Sequence, residues 1–415
     1  MKKNILGHLD DCQVCNSESI ESIINMGHFA PCDSLITKEN INKPENTYPI
    51  NLVRCKDCGL VQIDYAVNPN ELFFPDYPYR SGITEVLKKN LHAIAQQMVS
   101  KVSLQKGSFV MDIGSNDGTI LEGFKNEGMK VLGVEATKIA NIAKEKGIDT
   151  IQEFFSENIA HEIKSKYGSP SLITAANVFA HINDVDNFMK GIDVLLDEDG
   201  YFVTESHYML DILDTLQYDS IYHEHLRFYL VKPLQILFEK YGFKLIDIER
   251  ITNYGGSIRV YAQKGLNSQV KKSVEELKKL EIKKLAYESE TYVKFANRIE
   301  ASRQEIRSLI IRLKDEGNKI VGIGCPGRSA TLLKYCGLTP DLITYIAEQP
   351  ESLKLGMYTP NTHIPIVEDD IMLRDQPEYA LILSWHYAEP IIKTLRSKGL
   401  KSKIIIPLPE VRIVT

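Results

Sequence analysis

The sequence predicts an α/β protein in three parts: a small N-terminal module held by cysteines, a central open parallel sheet flanked by helices on both faces, and a smaller C-terminal sheet of the same kind. Three observations carry this. Four of the seven cysteines fall into two Cys-x-x-Cys pairs near the N-terminus. From about residue 80, short apolar runs alternate with amphipathic stretches, as in βαβ units. The same alternation begins again at Lys319. A chain of 415 residues is too long for one ordinary core, so division into domains is expected.

Residues 1–75 are turn-rich, with strand-like fragments TYPINLVRC and GLVQIDYAV around the second cysteine pair. Such a module buries little core alone and needs a staple. Cys12, Cys15, Cys55 and Cys58 supply four thiolates, the set that closes a tetrahedral shell around Zn(II). A closed shell leaves no position for water, so the zinc is expected to be structural. Cys32, Cys325 and Cys336 read as small core residues. Zinc ribbons also bind nucleic acid, but the residues around these cysteines are of mixed charge.

Residues 76–267 form the central domain. A helical stretch at 84–102 leads into strand candidates at 109–113, 131–134, 172–178 and 201–205, and then into FKLIDIER and SIRVYAQ, separated by a Gly255-Gly256 turn. The first strand runs into FVMDIGSNDGT, with Gly114 and Gly118 four residues apart, and Glu135 lies 21 residues beyond Gly114 at the end of VLGVE. A strand, a tight turn and an acid after the next strand make a ribose site. The loop lacks the third glycine of a dinucleotide fingerprint, and Asp117 puts a negative charge where a pyrophosphate would sit. A phosphate-free, positively charged nucleoside fits better, which points to S-adenosylmethionine and away from a nicotinamide dinucleotide.

Two further clusters carry chemistry. AANVFAHINDV places Asn177 and His181 just past an apolar run, at the edge where a cofactor's reactive end lies; Asn177 suits polar atoms of the methionine moiety. QYDSIYHEH then brings Tyr222, Glu224 and His225 close together, as a site needs where a proton moves and an oxyanion is steadied. Residues 268–318 are rich in Lys and Glu, with Tyr292, Phe295, Ile299, Ile306, Leu309 and Leu313 at helical spacing, and read as connecting helices. Residues 319–415 follow as the last domain, with a strand in KIVGIG, a helix through Ala330 to Tyr335, and strands at 342–346, 379–383 and 403–406.

The balance of 49 basic against 55 acidic residues, net −6, excludes generalised attraction to nucleic acid or anionic membrane. No apolar run approaches a membrane span, and MKKNILGHLDD turns acidic too soon for a secretory signal, so a cytoplasmic monomer or small homo-oligomer is expected.

The four N-terminal cysteines, DIGSNDGT, ANVFAHINDV, QYDSIYHEHLRFY, YGGSIRVY, GIGCPGRSATLLKYCGL and NTHIPI, in that order from Cys12 to the C-terminus, resemble the nucleotide-sugar C-methyltransferases of deoxysugar biosynthesis. The resemblance implies an N-terminal zinc-binding module, a Rossmann-like class I methyltransferase sheet, and a Rossmann-like C-terminal domain that helps to clasp a nucleotide-linked keto-deoxysugar. It implies methyl transfer from S-adenosylmethionine to carbon 3 of a 4-keto-6-deoxyhexose, after a base removes the carbon 3 proton. Carried over by motif, Gly114, Asn116, Asp117 and Gly118 form the cofactor turn, Glu135 holds the ribose and Phe154 meets the adenine. His225 is the base, Glu224 orients it, and Tyr222 and His181 donate to the enolate oxygen. An imidazole suits this task because it titrates near neutrality. Tyr77, Tyr79 and Ser81 of DYPYRSG face the sugar. Arg259 places the sugar or pairs with an acid, and Gly324, Gly327 and Arg328 open a helix where a diphosphate is readily held. GCPGRS departs from the family's GAPAKG. ESHY lacks the proline usual between acid and histidine, which leaves His207 unassigned. The nearest alternative is an O-methyltransferase acting on a sugar or small metabolite.

Overall fold

The computed structural model describes residues 5–415 apart from 76, 78, 79, 83, 84, 253, 254, 266 and 267. The central sheet has seven strands in the order Phe243–Ile251, Ser257–Lys264, Tyr201–His207, Leu172–Ala176, Phe109–Ile113, Lys130–Val134 and Thr150–Ile151. The last five are mutually parallel, and Ser257–Lys264 runs antiparallel to both of its neighbours. The inner strands read as unbroken apolar runs because helices cover both faces of the sheet. Helix Glu85–Lys101 packs on helix Thr119–Asn126, and the approach is close: a Cβ on Gly123 would lie 2.9 Å from both Ala95 Cβ and His92 Cα.

The strand expected at 172–178 ends at Ala176, because Asn177 adopts a left-handed φ of +57°. The 201–205 strand continues to His207. Thr150–Ile151, only two residues long, carries too little pattern to be foreseen.

The N-terminal module contributes Ile20–Phe29, Tyr48–Cys55 and Val61–Ile63 to an antiparallel sheet whose fourth strand is Arg227–Phe228. That strand begins two residues after His225, so the central domain completes the module's sheet with the chain that carries the His-Glu-His segment. Helices Lys272–Lys283 and Ser289–Asp315 connect the central and C-terminal sheets. Of the predicted stripe, Tyr292, Phe295, Ile299, Ile306 and Leu313 are buried and Leu309 packs partly against the core. Glu281, wholly buried, pins the first of these helices to the central domain through the Tyr208 hydroxyl at 2.8 Å and the Val231 amide at 2.9 Å.

The C-terminal sheet is ordered Ile366–Glu368, Ile346–Glu348, Ile320–Ile323, Tyr379–Ile382, Lys403–Ile406 and Arg412–Val414, parallel except for the last strand. The strand expected at 342–346 is displaced to Ile346–Glu348. Leu342 and Ile343 instead donate their amides to the Thr339 carbonyl in a turn, and Ile343 is apolar because the turn buries it. Among the described residues no helix is long and apolar enough to cross a membrane.

Candidate active site

Phe109–Ile113 delivers its loop where the strand order reverses, with Lys130–Val134 on one side and Leu172–Ala176 on the other. In open α/β sheets the ligand crevice lies beyond the strand ends at this point. Gly114, Asn116 and Gly118 have φ of +69°, +50° and +76°. Asn is the side chain that best tolerates the middle position. A Cβ on Gly114 would fall 2.4 Å from Val178, so the loop is also pressed against the end of the neighbouring strand.

Glu135 is fixed beside this loop: Oε2 accepts from the Asn116 amide at 3.0 Å, and Oε1 accepts from the Thr137 amide and hydroxyl at 2.8 and 2.7 Å. Asp117 turns inward. Its Oδ1 accepts from the Thr119 hydroxyl and amide at 2.6 and 3.3 Å, and Lys146 lies 3.4 Å from Oδ2. The carboxylate therefore takes the helix N-terminus that a phosphate would use. The 81–82 segment crosses the loop, with the Ser81 amide on Asn116 Oδ1 at 2.8 Å and the Gly82 amide on Asp117 Oδ2 at 3.2 Å. Ser81 thus lies at the cofactor loop.

Asn177 donates its amide to the Glu205 carbonyl, while its Oδ1 is buried with no protein partner. An orphaned acceptor at this edge suits the ammonium of a methionine moiety. Phe154 is 39% exposed just past Thr150–Ile151, and Phe155 beside it turns into the core against Phe188. The residues present fit S-adenosylmethionine.

The reaction cluster stands at the same edge of the sheet. His225 Nδ1 lies 2.7 Å from the Ser220 carbonyl, so Nδ1 carries the proton and Nε2 is bare. The Tyr222 hydroxyl donates to Nε2 at 3.0 Å. His181 and His207 surround the ring at centroid distances of 5.1 and 4.6 Å. Burial, then His207, His181 and Arg328, hold His225 well below the usual imidazole value; burial holds His181 at about 4. Both rings are neutral at physiological pH.

Glu224 does not orient His225. Its Oε1 lies 3.2 Å from the Cys32 thiol and its Oε2 accepts from Tyr77 at 2.9 Å; the Ser220 carbonyl does the orienting. Burial, then Asp33, push the Glu224 carboxyl up to about 8. Cys32, expected as simple packing, is a partner of this acid. His223 faces the module, 3.1 Å from the Tyr48 carbonyl. Tyr79 lies outside the described residues.

The C-terminal domain reaches into the cluster through Arg328, whose Nη2 is 3.2 Å from His207 Nε2 and whose Nη1 lies against the His386 ring nitrogens at 2.6 and 2.9 Å. Holding a diphosphate would require Arg328 to exchange these partners. Gly324, with φ +76°, makes the turn that precedes it. Arg259 is buried in the sheet, with Nε and Nη2 on Glu205 Oε2 at 3.1 and 2.9 Å, so of its two expected roles the structure displays pairing with an acid.

Sequence reasoning left His207 without a role and missed His386, Arg227, Asp33 and Lys354. His207 is the last residue of its strand and His386 lies four residues past Tyr379–Ile382, and a strand-end position of that kind could have flagged them. Arg227 is buried and ties the segment after His225 to the Phe179 carbonyl at 3.2 Å, to the Ile182 carbonyl and to Gln13 of the module.

The Cys12, Cys15, Cys55 and Cys58 sulfurs all lie within 4.8 Å of one another, with Cys12–Cys58 and Cys15–Cys55 each at 3.5 Å. A ZnS4 tetrahedron with bonds of about 2.3 Å has edges of about 3.8 Å. The thiolate set fits zinc and leaves no open position for catalysis.

Three families match the chain: a zinc binding domain over residues 12–73, a methyltransferase domain over 79–248 and a C-methyltransferase C-terminal domain over 252–409. The chain is 30% identical over 418 residues to C-methyltransferase NovU of Streptomyces niveus, covering 100% of this chain and 99% of that protein. It is 28% identical to the uncharacterized methyltransferase YcgJ of Bacillus subtilis over 104 residues, 24% of this chain and 40% of that protein. The crystal structure of YcgJ superposes with a TM-score of 0.35 at 17% identity, over 42% of this chain and 100% of that one.

Proposed function

The chain belongs to the S-adenosylmethionine-dependent C-methyltransferases, and from that membership we propose that it methylates carbon 3 of a nucleotide-linked 4-keto-6-deoxyhexose through an enolate raised by His225. The observation that carries this reading is the neutral His225 with its bare Nε2 among hydroxyl and imidazole donors. An imidazole can deprotonate carbon only where an adjacent carbonyl spreads the charge, so a base of this kind implies a keto substrate with donors at its oxygen.

S-adenosylmethionine, held by Gly114, Asn116, Gly118, Glu135, Asn177 and Phe154 with Asp117 shaping the turn, supplies an electrophilic methyl group. His225 Nε2 takes the carbon 3 proton. The Tyr222 hydroxyl, which rests on Nε2, turns to the oxygen as charge develops there, and neutral His181 stands beside it as a second donor. Tyr77, Gly324 and Arg328 border the sugar-nucleotide side, Tyr79 is a sugar contact by the motif alone, Ser81 lies at the cofactor loop, and Arg259 supports the sheet beneath. The test is a panel of nucleotide-linked 4-keto-6-deoxyhexoses with methyl-labelled S-adenosylmethionine. Label on carbon 3, located by NMR, is expected; label on oxygen contradicts the reading.

A further inference from the structure

The two open sheets of this chain build their first loops to one plan. In each, the loop leaves the strand at which the order reverses: Phe109–Ile113 between Lys130–Val134 and Leu172–Ala176, and Ile320–Ile323 between Ile346–Glu348 and Tyr379–Ile382. Gly114 turns with φ +69° and Gly324 with φ +76°. The Gly114 amide donates to the Val134 carbonyl at 2.8 Å, and the Gly324 amide donates to the Ala347 carbonyl at 2.8 Å. The residue after each of these carbonyls is an acid. Glu135 Oε2 accepts from the Asn116 amide at 3.0 Å, and Glu348 Oε2 accepts from the Cys325 amide at 2.7 Å. The crowding of the glycine recurs as well. A Cβ on Gly114 would strike Val178 at 2.4 Å and one on Gly324 would strike Ser384 Oγ at 2.5 Å, each of these residues standing two past the end of the neighbouring strand.

The loops differ in charge. Three residues past the turning glycine stands Asp117 in the first loop, its carboxylate on the Thr119 amide at the start of the helix, and Gly327 in the second. The next position holds Gly118 in the first loop and Arg328 in the second. The second crevice thus lacks the carboxylate that keeps phosphate from the first, and gains a cation. That cation is poorly matched at rest. Arg328 is 9% exposed among the His207 and His386 rings, both held below the usual imidazole value by burial, and the Asp219 oxygen that faces it is 3.8 Å away. Glu348 is half-buried, with Oε1 taking the Gln349 amide at 2.9 Å. A carboxylate has about four acceptor sites, so two amides leave room for hydroxyl donors.

We propose that the crevice beyond Ile320–Ile323 is a second nucleoside site, in which Glu348 accepts from the pentose hydroxyls of the substrate's nucleoside diphosphate and the Gly327–Arg328 turn takes its phosphates. This deepens the reading above and rests on its nucleotide-linked half alone. An acid after the second strand holds a pentose in such a crevice. The chain then grips two nucleosides by one device, and the charge at the helix start decides which of them carries phosphate.

Calorimetry on the full-length zinc-bound protein saturated with S-adenosylhomocysteine, with GDP, CDP, UDP and dTDP as probes, tests the site. At least one of these is expected to bind while S-adenosylhomocysteine stays bound. Its 2′,3′-dideoxy form, which lacks the hydroxyls, should bind about ten- to a hundredfold more weakly, the loss that follows removal of a charge-assisted hydrogen bond. Glu348→Ala should bind the two forms alike, with the affinity for inorganic diphosphate as in wild type. Glu348→Asp, which withdraws the carboxylate by one methylene, should narrow the difference and serves where the alanine variant fails to fold; unchanged S-adenosylhomocysteine affinity reports the fold. Equal binding of the two forms by wild type, or a difference that persists undiminished in the folded variants, overturns the proposal. So does displacement of S-adenosylhomocysteine by the nucleotide, or failure of all the probes to bind. Loss of inorganic diphosphate in step with the nucleotide would make Glu348 a brace for the Cys325 turn and overturns it too. Because no keto-sugar is present, a wrong sugar would appear in the turnover panel and leave nucleotide binding intact.

Discussion

The cofactor loop and the reaction cluster stand at the same edge of one sheet, yet they are built in opposite ways. The loop is a single stretch of chain from Phe109 to Glu135, and its conformation follows from local causes: left-handed residues, an Asp that caps the helix it precedes, and a carboxylate fixed by the next turn. The cluster draws on residues from Cys32 to His386, and the segment carrying His225 is held from both sides. Trp385 of the C-terminal domain donates to Asp219 at 2.8 Å, and Arg227 reaches Gln13 of the module. The outer parts also clasp each other directly, through Asn361 and His363 on Glu45 at 2.9 and 2.8 Å. Nucleoside binding can thus survive changes that dismantle the chemistry.

Removing zinc should separate the two regions most strongly. Structural zinc contributes on the order of 10 kcal/mol or more to small modules. Chelation should unfold the module, release Arg227 and abolish C-methylation. S-adenosylhomocysteine affinity should fall less than about tenfold by calorimetry, since the loop owes its shape to its own residues; equal losses of both would break the comparison. His225→Ala should lower kcat by about a thousandfold, within the range of general-base catalysis, with that affinity unchanged.

Glu135→Ala is the reciprocal case. Loss of a charge-assisted hydrogen-bond acceptor costs about 1.5–3 kcal/mol. Calorimetry should show S-adenosylhomocysteine binding weakened by one to two orders of magnitude, while kcat at saturating cofactor stays near wild type. Arg328→Gln should have the smallest and most specific effect. Arg328 is among the groups that hold His225 and His207 below their usual values. Its removal raises both, so the acid limb of the kcat/KM profile moves to higher pH and activity fades at mildly acidic pH where the wild type persists.

The same contrast explains what the sequence made legible. The glycine turn with Glu135 beside it, the paired cysteines and the succession of the central strands all depend on spacing along the chain, and spacing is visible in sequence. The Tyr-His-Glu-His group was visible as a cluster, but its internal roles were not. Adjacent residues on an irregular segment point different ways: His223 to the module, Glu224 to Cys32 and Tyr77, His225 to Ser220 and Tyr222. Asp33 and Lys354, 321 positions apart, have no local pattern and meet only because three domains pack around Glu224. The strand placed at 342–346 failed for a related reason, since apolar alternation there serves a buried turn.

The central claim is that His225 removes a proton from carbon beside a keto group before any methyl is transferred. Its most direct measurement is hydrogen exchange in deuterated water, with a nucleotide-linked 4-keto-6-deoxyhexose and S-adenosylhomocysteine in place of the methyl donor, followed by NMR. Wild type should exchange the carbon 3 hydrogen, and folded His225→Ala that still binds S-adenosylhomocysteine should not. Exchange at carbon 3 that survives His225→Ala would contradict the account.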